Sequence, residues 1–111
     1  MALGRYDQRK NYEEEEANAI GTEYVRAGLL PAADAAKMRA LLINYLDQRI
    51  LFYETRDEEG LSKIDAETAK LRAELWSAVQ AAAAAQPTPV IAVAVSGMND
   101  VLNSQGYAPA A

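Results

Sequence analysis

Histidine and cysteine are both missing from the chain. Without cysteine there is no disulfide framework and no thiolate metal site. Without histidine the commonest general base, the commonest transition-metal ligand and the side chain that titrates nearest neutral pH are all gone. Proline and glycine are sparse, at four and six residues, so long helices meet few breaks. The longest apolar run, Pro89 to Met98, is about half of the ~20 residues a membrane-spanning helix requires. Met1 to Lys10 has no apolar core, so no signal peptide is legible. Basic charge is also in deficit. The net charge is −5, and Lys and Arg are scattered except for Arg5, Arg9 and Lys10. A nucleic-acid partner is therefore not expected. No glycine-rich phosphate loop is present.

What remains is helix-forming. The 111 residues fit a single domain, 1–111. Half of them are hydrophobic, which excludes disorder by composition. Alanine supplies much of that half, so the core should be thin and helices should approach closely. Breaks at Gly28–Pro31, Gly60 and Gln86–Pro89 leave four helical segments.

The first segment spans about Tyr6 to Ala27, with Ala17, Ile20, Tyr24 and Ala27 recurring at helical spacing. Its acidic run Glu13–Glu16 suits a solvated surface. The second spans about Ala32 to Asp57, with Pro31 in its first turn and Gly60 as a C-terminal stop. Its stripe is Met38, Leu41, Leu42, Tyr45, Leu46, Phe52 and Tyr53. The third spans about Ser62 to Ala85, where Ser62-Lys63-Ile64-Asp65 resembles a capping box. Its positions Leu61, Ile64, Thr68, Leu71, Leu75, Ala78 and Ala82 form a heptad-like seam flanked by Trp76 and Val79. The fourth spans about Pro89 to Ser104, with Thr88 as N-cap and Pro89 at the first helical position. Its β-branched residues Val90, Ile91, Val93 and Val95 also suit a strand, but no second strand exists to pair with it. Ile91, Ala94, Val95, Met98, Val101 and Leu102 fit one helical face. Short connections between helices make neighbours antiparallel. The expectation is an all-α antiparallel four-helix bundle with the N- and C-termini at the same end.

Catalysis has little to work with. Ser62, Ser77, Ser96 and Ser104 have no histidine to activate them. An enzyme, a cofactor and a metal centre are not expected. One polar set does converge on the terminal end: Glu15, Glu16 and Asn18 on the first helix, and Asn99, Asp100 and Asn103 on the fourth. It could be a buried interhelical hydrogen-bond network that fixes register, a partner interface, or an oxygen-ligand metal or ligand site. The network is the simplest of the three. Among the tyrosines, Tyr24, Tyr45 and Tyr53 fall on apolar stripes and are expected in the core. Tyr6, Tyr12 and Tyr107 suit the surface or a membrane interface.

Two stretches carry a family resemblance. One is Glu15-Glu16-Ala17-Asn18-Ala19-Ile20-Gly21-Thr22-Glu23-Tyr24-Val25-Arg26-Ala27-Gly28-Leu29-Leu30-Pro31, and the other is Ser96-Gly97-Met98-Asn99-Asp100-Val101-Leu102-Asn103. With Glu74-Leu75-Trp76 and Pro87-Thr88-Pro89 between them, the chain resembles the central soluble region of the bacterial bestrophin-like membrane proteins, a domain of unknown function. The resemblance covers nearly the whole chain. It implies transmembrane helices on either side, so that the chain is a soluble domain excised from between them. It also implies a place at the cell membrane of a bacterium. The cluster Arg5, Arg9 and Lys10 would favour the cytoplasmic face. The implied role is structural, setting subunit contacts in a channel-like or transporter-like protein through self-association of helix faces. A ligand- or metal-sensing module is the alternative.

Overall fold

The computed structural model describes residues 5–105, with side chains from residue 8 onward. Four helices follow in order: α1 (Arg5–Arg26), α2 (Ala32–Glu54), α3 (Glu58–Ala85) and α4 (Pro89–Asn103). A 3-10 turn, Ala27–Leu29, joins the first two. Each helix packs on two neighbours: α1 on α2 and α4, α3 on α2 and α4. Cross-helix bonds fix the directions. Arg39 on α2 reaches the carbonyl of Tyr24 near the end of α1, while Arg9 near its start reaches the carbonyl of Tyr53. Arg72 on α3 reaches the carbonyl of Leu102 near the end of α4. The bundle is therefore antiparallel throughout, and the start of α1 and the end of α4 share one end.

The α4 segment is a helix despite its β-branched residues. Thr88 is extended and its Oγ1 accepts from the N–H of Ile91 at 3.2 Å, with Pro89 in the first turn. Together these satisfy two of the four amides that a helix start leaves open. Leu30, held extended by Pro31, ends the turn after α1. Pro31 itself stands just outside α2 as its N-cap, one place earlier than its expected role.

The α2–α3 turn differs from expectation. α2 stops at Glu54 rather than near Asp57, and α3 begins at Glu58 rather than near Ser62. The cause is Asp57. It is extended, and its Oδ2 accepts from the N–H of Gly60 at 2.8 Å. Glu58 and Glu59 then fill the first turn, where negative charge meets the positive end of the helix dipole. Gly60 thus lies inside the start of α3 instead of stopping α2. A Cβ there would lie 2.9 Å from Thr55 Cγ2 and 3.0 Å from both Asp57 carboxylate oxygens, so a side chain at this position would press on the Thr55 and Asp57 side chains. Ser62 is exposed and caps nothing.

Each helix buries a seam with heptad spacing. On α2 it is Met38, Leu42, Tyr45, Arg49 and Phe52. On α3 it is Ile64, Thr68, Leu71 and Leu75, continued by Val79 and Ala82. On α4 it is Ile91, Ala94, Met98 and Val101. On α3, Val79 is buried and Ala78 only half-buried, the reverse of the expected pattern. The α1 seam departs furthest from the apolar pattern: Glu16, Ile20, Glu23, Ala27 and, beyond the turn, Leu30. Ala17 is exposed, and Tyr24 is 38% exposed rather than in the core. The ring of Tyr24 lies on the surface under the Arg39 guanidinium, 5.0 Å from the ring centre.

Candidate functional site

The interior divides at a polar level. Above it lies the main core, from Leu41, Leu42 and Tyr45 to Met98 and Val101. Below it, toward the chain ends, lies a small second cluster of Phe52, Tyr53 and Ile64 with Tyr12 and Leu61 against it. Between the two, three seams carry a polar residue at the same height: Glu16 on α1, Arg49 on α2 and Thr68 on α3, each 2% exposed.

Arg49 and Glu16 make a two-point ion pair. Nε donates to Oε1 at 2.5 Å and Nη2 donates to Oε2 at 3.2 Å. The hydroxyl of Tyr53 donates a further, short hydrogen bond to Oε2. The guanidinium lies 4.4 Å from the ring centre of Phe52 and 5.7 Å from that of Tyr53. Burial works against the charge on Arg49. The hydrogen bonds and charge of Glu16 outweigh it and hold the guanidinium above its ordinary value. Burial, then the bond to Glu16, pushes Tyr53 well above the usual phenol range.

The same level continues around the bundle. Tyr45 donates from its hydroxyl to Oε1 of Gln105 at 3.3 Å, and Arg72 Nη1 donates to that oxygen at 3.0 Å and to the carbonyl of Leu102 at 2.8 Å. Burial raises Tyr45 above its ordinary value against the nearby Arg49 and Arg72 charges. Gln105 thus ties the end of α4 to α2 and α3. The Thr68 hydroxyl is buried without a partner.

The six polar residues expected as one set are separated by this arrangement. Glu16 is buried, but its partners come from α2. Glu15, Asn18, Asn99, Asp100 and Asn103 are exposed. Among the described residues no side-chain hydrogen bond joins the α1 members to the α4 members. Helices α1 and α4 do lie side by side; it is the faces that differ, because residues two apart such as Glu16 and Asn18 point to opposite sides of a helix. Of the acidic run, Glu13, Glu14 and Glu15 are solvated as expected, and Glu16 is not. Tyr45 and Tyr53 are in the interior, Tyr12 is half-buried against the second cluster, and the side chain of Tyr6 and all of Tyr107 lie outside the described residues.

Arg49, Arg72, Gln105 and Glu23 were not among the expected residues. Arg49 had a usable signal: it stands four after Tyr45 and three before Phe52, on the apolar stripe. Glu23 had the same signal between Ile20 and Ala27. Its carboxyl is buried and neither oxygen has a hydrogen-bond partner. On the outside, a groove of ≈ 410 Å³ between the first turns of α1 and the end of α2 is lined by Arg9, Lys10, Glu13, Tyr53, Glu54 and Arg56. Among the described residues no group of acidic side chains could hold a metal ion. Among the described residues no helix is long and apolar enough to cross a membrane. Comparison with protein-family models, with curated proteins and with solved structures finds no match to the chain.

Proposed function

We propose that the chain is a non-catalytic assembly domain, an extramembrane bundle of an integral membrane protein of the bestrophin-like kind that its two long motifs resemble. The observation that carries this reading is how polarity is distributed. The buried Arg49–Glu16 charge pair is consumed by a tie between helices, with the Tyr53 hydroxyl bonded to the same carboxylate. Large apolar side chains stand outside: Val25 is 73% exposed, and Leu29, Val90 and Val93 are exposed as well. Apolar surface of this kind is used for contact with another protein surface. The shared end for the start of α1 and the end of α4 suits a domain inserted between two membrane segments, which would leave this end facing the bilayer. The role is then to set contacts between subunits, with the domain on the cytoplasmic face.

Two measurements test it. Light scattering of the isolated chain over a wide concentration range should show reversible self-association, and Val25→Asp with Val93→Asp should abolish it. A strictly monomeric chain at the highest concentration counts against the assembly role. Flotation of the intact native polypeptide should place it in the membrane fraction; recovery as a soluble protein would remove the membrane part of the proposal.

A further inference from the structure

Glu23 occupies a seam position on α1 between Ile20 and Ala27, and only 1% of it is exposed. Neither carboxyl oxygen meets a donor. Its counterpart on α4 is Gly97. A Cβ placed on Gly97 would lie 2.1 Å from Oε1 and 3.1 Å from Cδ of Glu23. The carboxyl therefore occupies the space that a side chain at position 97 would fill. The contact between α1 and α4 is made at this point by a carboxyl group lying on a glycine backbone.

The charges around it are few. On α1, Arg26 Nη1 comes to 3.1 Å from the same Cβ position, yet no ion pair with Glu23 forms. On α4, Asp100 adds a like charge. On α2, Arg39 is engaged by the carbonyl of Tyr24 at 3.0 Å. The turn Ala27–Leu29 carries no charge. A buried carboxylate without donors is far costlier than the neutral acid, whose single O–H loses only one hydrogen bond to water.

We propose that Glu23 is a proton-operated latch on the α1–α4 seam. With the proton on, the side chain lies over Gly97 and the two helices close. When the proton passes to water, the carboxylate leaves for solvent and α1 and α4 part around Gly97. The direction of titration agrees. Burial, opposed by Arg26 and assisted by Asp100, pushes the carboxyl up from 4.5 to about 8. A folded-state value above the unfolded one means that the folded chain holds more protons between the two. Stability from this group is complete below about 4.5 and is lost as pH rises through about 8.

Carbon-detected NMR titration of the Glu23 carboxyl in the whole chain gives the direct test. A midpoint near 8 is expected; a midpoint in the ordinary carboxylate range overturns the latch. Amide shifts of Ala94 and Gly97 should move with that midpoint while Leu75 on α3 stays still, and an α4 unmoved through the titration overturns the opening. Asp100→Asn should lower the midpoint and Arg26→Gln should raise it; a midpoint indifferent to both overturns the assignment of its surroundings. In urea, the folding equilibrium constant of the native chain should fall by about tenfold per pH unit from about pH 5 to about pH 8, and that of Glu23→Gln should stay level. Parallel profiles overturn the proposal. If Glu23→Gln does not fold, the titration of the native chain decides alone.

Discussion

Arg49 on α2 holds Glu16 on α1 with two nitrogens, at 2.5 Å and 3.2 Å, in the one polar layer that crosses the interior. The pair is buried, so its two halves depend on each other more than the fold depends on the pair. Taking two charges out of water is costly, and the Coulomb gain does little more than offset it. Removing one partner is another matter, because the other is then left buried and uncompensated.

Glu16→Leu and Arg49→Met should accordingly each lose about 3–5 kcal/mol of stability. The double variant Glu16→Leu with Arg49→Met should recover most of that loss. Urea denaturation of all four proteins closes the cycle. Additive losses would show that the two side chains act independently.

The Thr68 hydroxyl lies in the same layer without a partner. Thr68→Val keeps the shape and removes the unmatched polar atom, so it should stabilise the chain by about 1 kcal/mol. A shift of the urea midpoint to lower concentration would mean that the hydroxyl is bonded in solution.

Helix α3 starts at Asp57, and the two candidate caps can be told apart. Asp57→Ala should cost about 1 kcal/mol, the usual loss of an N-cap. Ser62→Ala, at an exposed position inside the helix, should stay within about 0.5 kcal/mol of the native chain. Equal effects would move the helix start.

Tyr53 adds a second dependence at higher pH than that of Glu23. Its phenol is raised above the ordinary value of 10.0 by burial and by Glu16. The folded chain therefore keeps this proton where the unfolded chain has lost it. Stability from Tyr53 is complete below about 10 and declines above it. Urea midpoints should fall above about pH 10 more steeply for the native chain than for Tyr53→Phe. Tyr45, raised in the same direction, keeps some of the decline in both.

All four helices were legible as helices, and three of them also in their buried faces, because most of their buried residues are apolar at helical spacing: Met38 to Phe52, Ile64 to Ala82, Ile91 to Val101. The capping of α4 by Thr88 and Pro89 was legible for the same local reason. Helix α1 was legible in its extent, about Tyr6 to Ala27 against Arg5–Arg26, but its buried face was not, since two of its seam positions are glutamates, and a glutamate announces water until a partner is known. That partner is Arg49, 33 residues away in sequence, and nothing local to Glu16 points to it. The α2–α3 turn was misplaced by competing local signals. Gly60 and Ser62 have the composition of a stop and a start, but Asp57 precedes them and satisfies the amide of Gly60 first. Asn99 and Asn103 share a helix face, as expected; that face is turned to solvent.

The layer of Glu16, Arg49 and Thr68 divides the interior into a large apolar compartment and a small one around Phe52, Tyr53 and Ile64. Apolar contacts do not run continuously across such a layer, so the two compartments need not melt together. The small one rests on three buried side chains and two partly buried ones, and it should open first, with the bulk of the bundle intact. Proteolysis under native conditions should then begin around residues 55–57 and the first turns of α1, leaving a shorter bundle that still unfolds as one cooperative unit.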